Sequence, residues 1–323
     1  MDCIHCGRCT RRCAFLDKYQ LDLEGFSRRP DLAYHCFLCG ECTSCCPKGI
    51  DGRKIALQMR QTRVEAAGGK FSRLPEARPL RPVVWEKERY WFRNYRHATP
   101  GVVLFPGCNF PSFFPAATKK LIALLRERAG MGVVMDCCGK PIFELGMRRE
   151  SGRIHSGLGE RLRRRGVTEL VVLCPNCYYF LKDNLDIPVV SIYHKLRELQ
   201  LVQPLEAECF SLYLPCPDRS RREIWDSILP LLRGEVQEIQ GVQCCGLGGC
   251  AAAQEPDLSR GFSASWREKG LARSYTYCAS CVGALTRSGC TGVAHLLAAL
   301  LGVDERPPLG AQSLLNRAKF KLL

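Results

Sequence analysis

The chain has no run of eighteen or more apolar residues, so no transmembrane helix is expected. Its longest apolar stretch, residues 293–303, is too short to span and carries His295. No apolar leader precedes Cys3 and Cys6, which follow Met1 almost at once. A cytosolic location is therefore expected, or the inner face of a membrane reached through a partner. Histidine is scarce, with six residues at positions 5, 35, 97, 155, 194 and 295, and the scatter suggests no triad. There is no G-x-G-x-x-G fingerprint in a strand–helix context; Gly246-Leu247-Gly248-Gly249 sits in a cysteine loop and reads as room for close packing. Flavin or NAD is thus expected on a partner and not in this chain. Acidic residues are outnumbered, 32 against 47 basic, for a formal charge of +15. That excess meets no nucleic-acid motif and no aromatic–basic platform, so nucleic acid is not an expected partner. A solvated basic surface accounts for it, or electrostatic steering toward an acidic protein.

What the chain has in excess is cysteine, 22 in 323 residues. With no export signal and with repeated C-x-x-C spacings, these read as metal ligands rather than disulfides. An apolar content of 46% supplies a globular core. Residues 51–67 read as a helix that Gly68-Gly69 ends. Residues 70–100, rich in Pro, Arg and aromatics, read as a linker whose Trp85 and Trp91 pack against something. From Gly101, strands at 102–105, 133–135 and 169–173 alternate with helices at 115–128 and 156–165. About a hundred residues later the rhythm recurs. Strands are expected at 212–214, 236–239 and 275–277, and helices at 221–232 and 258–269.

The expected fold class is α+β overall: a small helical, cysteine-dense domain, then two fused, similar α/β modules with parallel sheets. The boundaries expected are 1–69 for the first domain, 70–100 for the linker, 101–205 and 206–303 for the modules, and 304–323 for a basic tail. The tail reads as frayed, with docking to a partner as the alternative.

Two four-cysteine runs open the chain. One is Cys3-x2-Cys6-x2-Cys9-x3-Cys13, and the other is Cys36-x2-Cys39-x2-Cys42-x3-Cys46-Pro47. Two residues between ligands let a tight loop wrap three corners of a small Fe4S4 cube, and the fourth thiolate comes from elsewhere. This spacing resembles that of two-cluster bacterial ferredoxins. The resemblance implies that Cys3, Cys6, Cys9 and Cys46 hold one cubane [4Fe-4S] cluster, and Cys36, Cys39, Cys42 and Cys13 the other. Cys45 is an alternative to Cys46, although the x3 spacing and Pro47 favour Cys46. Ala14 departs from the proline expected there. Gly7 and Gly40 follow the second cysteine of each run, where backbone comes close to the metal. His5 and His35, among these ligands, would tune potentials or proton coupling, or merely be solvated. Because four thiolates around a cubane leave roughly −2, the formal charge overstates the real one.

Each α/β module carries five more cysteines in one order. Cys108, the pair Cys137-Cys138 before Gly139, and Cys174-x2-Cys177 form the first set. Cys216, the pair Cys244-Cys245 before Gly246, and Cys278-x2-Cys281 form the second. Single cysteine and pair are separated by 29 and 28 positions, and pair and C-x-x-C by 36 and 33. Both sets fall at carboxyl ends of expected strands, where α/β folds build their sites. A structural zinc site remains an alternative for one module.

The double Cys-Cys-Gly pattern is similar to the cysteine-rich domain of heterodisulfide reductase catalytic subunits. Relatives of those include iron–sulfur subunits of glycerol-3-phosphate, glycolate and lactate dehydrogenases. The resemblance leaves out the linker and the tail. It implies a noncubane [4Fe-4S] cluster on each five-cysteine set, cleaving a disulfide in two one-electron steps, with all ten cysteines catalytic. Electrons would enter at a ferredoxin-type cluster and cross to the modules. A pure relay to a flavin-dependent dehydrogenase is the alternative, and both readings imply a hetero-oligomeric complex with a flavoprotein or other electron-transfer subunit. Cys209, Cys250 and Cys290 match no motif position and read as spectators. Pro217, directly after Cys216, is a further departure. Lys140-Pro141 would greet an anionic substrate or remain a plain surface pair, and the 163–165 arginine run reads as a solvated helix face.

Overall fold

The computed structural model describes residues 2–322. The architecture is mixed α+β, with an N-terminal helical region followed by two α/β modules bearing parallel sheets. The first sheet contains β1 (Gly101–Phe105), β2 (Gly132–Val133), β3 (Val167–Val172) and β4 (Val189–Ser191), in the order β2-β1-β3-β4. The second contains β5 (Leu205–Tyr213), β6 (Leu232–Glu238), β7 (Ser274–Thr276) and β8 (Val293–His295), in the matching order β6-β5-β7-β8. Every strand pairing within the two sheets is parallel. Apolar runs such as Val103-Leu104-Phe105 and Leu170-Val171-Val172 are buried throughout, as strands covered on both faces must be. In each sheet the chain reverses its winding between the first and third strands, and the loops leaving those strands carry the cysteines.

Several boundaries differ from the sequence reading. β4 and β8 were not expected; at three residues each they are too short to show a period and exist by pairing with β3 and β7. The strand expected at 133–135 shrinks to two residues. The helix expected at 221–232 covers Glu223–Ile228 only. A 3₁₀ turn, Leu229–Leu231, follows it around Pro230, which cannot supply the next helical N–H. The helix expected at 156–165 starts earlier and spans Arg148–Arg164. The segment read as a linker contains the 3₁₀ turn Pro75–Leu80 and the helix Arg81–Arg89.

The tail is not frayed. Helix Gln312–Leu322 buries Phe320, and Arg317 Nε donates to Ser112 Oγ at 2.8 Å. Asn316 Nδ2 bonds the Ser112 carbonyl at 3.1 Å, and the Phe320 carbonyl accepts from Asn94 Nδ2 at 3.1 Å. Ser112 Oγ also donates to the Cys108 carbonyl at 2.8 Å, so the tail is tied to the short helix Asn109–Phe113 through a residue that is itself held in place.

The chain forms two compact units. One joins the segment up to Glu88 with Pro141–Gly152 and Gln240–Gly270; the other joins Arg89–Lys140, Arg153–Ile239 and the chain from Leu271 onward. The pair Cys244-Cys245 therefore belongs to the unit that holds the N-terminal cysteines, whereas Cys137-Cys138 belongs to the unit of the two sheets. Among the described residues no disulfide forms, and no helix is long and apolar enough to cross a membrane.

Candidate metal centres

In the first unit, Gly7 and Gly40 take the left-handed conformation, with φ of 68° and 75°. This turn starts a short helix from the middle of each run, Arg8–Arg12 and Glu41–Ser44, and places the third cysteine on it. An open cavity is lined by Cys3, Cys6, Cys9 and Cys46, with Pro47 and Leu23 at its wall. Cys45 is not on that wall; its thiol donates to the Cys42 carbonyl at 3.4 Å. Burial pushes the Cys9 and Cys45 thiols up.

The other four cysteines converge in a drier place. Cys13, Cys36, Cys39 and Cys42 are all buried. A hydrogen bond from Cys42 brings the Cys13 thiol down to about 7 against the pull of burial, and backbone N–H groups and Gln243 add to it. Cys42 is correspondingly raised, and burial pushes Cys36 up to about 12. Asp51 caps the helix Gly52–Ala66 through the N–H groups of Arg53 and Lys54. That cap sets Gly52 against the sulfur: a Cβ there would lie 2.5 Å from Cys42 Sγ. Arg60, fully buried, donates to the carbonyls of Ala33, Cys36 and Glu144 at 2.9, 2.8 and 2.7 Å and so holds the second run in shape.

His5 and His35 contact carboxylates. His5 Nδ1 lies 2.6 Å from Asp22. Cys3, His5 and Asp22 together form a potential metal-ligating group with donor atoms within 4.8 Å of one another. His35 Nδ1 lies 2.6 Å from Glu255, which also accepts from Tyr19 and Lys18 at 2.6 Å each. Asp22 and Glu255 carry no sequence signal, since nothing in their local pattern marks them.

In the second unit the first five-cysteine set gathers at the carboxyl ends of β1, β2 and β3. Cys137, Cys138, Cys174 and Cys177 are buried and Cys108 is half-buried. Hydrogen bonds from Cys137 and Cys177 draw the Cys138 thiol down, aided by the Lys140 N–H and its charge. Cys177 also donates to Cys174, so Cys174 is lowered and Cys177 raised. Gly107, at φ 74°, permits the closeness, because a Cβ there would meet Cys177 Sγ at 3.2 Å. Before the pair stands Asp136, fully buried. It accepts from Arg93 Nε (3.0 Å), Arg161 (2.9 Å), Tyr95 Oη (2.8 Å) and the Cys137 N–H (2.8 Å). Tyr90, at φ 30°, is buried beside Cys108 and Cys137, and burial pushes its hydroxyl well up.

Of the second set, Cys216, Cys278 and Cys281 lie in this unit and Cys244 and Cys245 in the other. The two C-x-x-C loops meet. Asn176, inside the first, donates to Cys278 Sγ at 3.9 Å, and Asn109, next to Cys108, donates to Ser280 Oγ at 2.7 Å. Asp218, two residues after Cys216, accepts from the hydroxyls of Tyr179 and Tyr277 and is fully buried. Sequence reasoning missed these polar residues, because their partners are far away in the chain. Cys209 is exposed on β5, Cys290 is buried, and Cys250 donates to the Tyr34 carbonyl at 3.6 Å.

The family described as CCG, a cysteine-rich domain, matches residues 102–182 and again residues 210–286. The chain carries this cysteine-rich domain twice. Each copy of the CCG domain spans three strands of one sheet together with its five cysteines. An uncharacterized iron-sulfur protein of Methanococcus maripaludis is 26% identical over 277 residues, covering 77% of this chain and 54% of that protein. The chain thus spans about half the length of the curated relative it matches.

Proposed function

We propose that this protein is an iron–sulfur electron-transfer protein, related in function to heterodisulfide reductases. In this reading, Cys3, Cys6, Cys9 and Cys46 hold one cubane [4Fe-4S] cluster, and Cys13, Cys36, Cys39 and Cys42 hold the other. The observation that carries it is the cavity on which Cys46 joins three cysteines some forty residues earlier in the chain. The glycine at position 52 fits the same reading, since a side chain there would intrude on the Cys42 sulfur. The ten CCG cysteines hold two noncubane [4Fe-4S] clusters, with zinc in one module as the alternative. Such clusters, when bound, supply one-electron transfer and an iron site for sulfur ligands.

The chain's own residues do the rest. Cys138 and Cys174, whose thiols are lowered by hydrogen bonds from their neighbours, are the readier ligands of their set. Asp136 fixes the backbone of the pair through the Cys137 N–H, and Lys140 adds positive charge beside Cys138. Cys108, the half-buried member of its set, is where a small disulfide would approach. Its reduction takes two electrons and two protons and yields two thiols. In this reading the electrons come from a flavoprotein or other electron-transfer subunit. We place the complex in the cytoplasm, touching a membrane only through a partner. A second reading, a relay subunit of a flavin-dependent dehydrogenase, draws on the burial of the other four sulfurs of that set, which leaves a substrate little access.

Iron and acid-labile sulfide per chain, with Mössbauer spectra on anaerobic protein, test the assignment. About sixteen irons, part of them unlike a cubane, are expected. About eight in fully loaded protein would remove the disulfide chemistry and leave only the N-terminal clusters.

A further inference from the structure

The two repeats differ at the residue before the cysteine pair. In the first it is Asp136, locked by arginines. In the second it is Gln243, whose Nε2 donates to Cys13 Sγ at 3.5 Å and to Cys39 Sγ at 3.4 Å. The amide cannot be turned round. Its Oε1 accepts the Ala14 N–H at 2.9 Å, and a backbone N–H bonds only to the oxygen, so the NH2 group must face the sulfurs. Both sulfurs belong to one set of four, and the same residue is joined by a peptide bond to Cys244. All of these groups lie in one compact unit.

We propose that Gln243 is a positioning residue that raises the reduction potential of the cubane held by Cys13, Cys36, Cys39 and Cys42, and that it links this cubane to the Cys244-Cys245 pair. The inference rests on the cluster assignment above. Its physics is simple. Reduction adds negative charge that spreads onto the thiolate sulfurs, and two N–H donors aimed at them stabilise the reduced state more than the oxidised one. The link also makes the repeats unequal. Through Gln243 the second repeat's pair stands one hydrogen bond and one residue from a sulfur of this cubane.

The test is an EPR-monitored redox titration of the full chain, with iron and sulfide measured in parallel. Gln243→Glu keeps the acceptor for Ala14 and replaces the donor by a carboxylate. One cubane midpoint is expected to fall, its reduction equilibrium weakening at least tenfold, which is about 59 mV for one electron. The other midpoint and the iron content stay as in wild type. Two unmoved midpoints at full iron would overturn the proposal. Should the Glu variant lose iron, Gln243→Leu carries the test without adding charge, and the same fall is required of it. Loss of about four irons from both variants would give Gln243 a purely structural part and overturn the tuning role as well. Wild-type protein with no cubane signal would instead sink the cluster assignment itself.

Discussion

Replacing Gly52 by alanine sets two opposed effects against each other. Position 52 opens the helix Gly52–Ala66, and alanine there is favoured by helix propensity, by at most about 1 kcal/mol and less at a first-turn position. Against this, the new methyl would sit 2.5 Å from Cys42 Sγ and 2.8 Å from Leu23 Cδ2, where ordinary contact begins near 3.4 Å. Neither neighbour can yield cheaply. Leu23 is 1% exposed and Cys42 is 6% exposed. Overpacking a closed site costs about 1–3 kcal/mol, so the clash wins by about 1–2 kcal/mol. The sulfur must also move by about an ångström, which a rigid four-ligand cage tolerates poorly. Gly52→Ala is therefore expected to lower the anaerobic melting midpoint and to lose about four irons per chain. Full iron together with an unchanged or raised midpoint would refute the reasoning, because helix propensity would then have prevailed.

Asp136→Ala leaves Arg93 and Arg161 facing an empty buried position. Since both arginines are about a third exposed, a loss near the low end, about 2–3 kcal/mol, is expected in anaerobic denaturation. Arg60→Ala strips two buried carbonyls and a half-buried one of a donor and should cost about 3 kcal/mol, with iron lost from the set containing Cys36. His295 is held down to about 3 by burial, so it stays neutral in the fold while the unfolded chain takes up its proton below about pH 6.5. Its effect is absent above pH 7 and destabilises the fold by about 1.4 kcal/mol for each pH unit between 6.5 and 5. His295→Asn, which keeps an acceptor for the Leu297 N–H, should flatten that part of the stability profile; an unchanged slope would assign it to other groups.

The sequence by itself determined the cysteine inventory, the repeat and the class of fold. Regular spacing is a local property, and four short runs of it, with alternating apolar segments, can be read without coordinates. The matching strand orders of the two sheets follow from that duplication. What lacked a local signature had to wait for the tertiary structure. β4 and β8 are stabilised by neighbouring strands rather than by their own three residues. The terminal helix Gln312–Leu322 is basic and amphipathic in either a frayed or a docked state, and only the polar groups of Ser112 and Asn94 decide between them. Asp136 and Gln243 hold the same place in the repeat. One meets arginines and the other meets sulfur, because their partners lie 25 to 230 positions away in the chain. The second cysteine pair looks equivalent to the first in spacing, yet it packs into the unit of the N-terminal cysteines. Duplication copies spacing, but each copy's environment is set by whatever the rest of the chain folds against it.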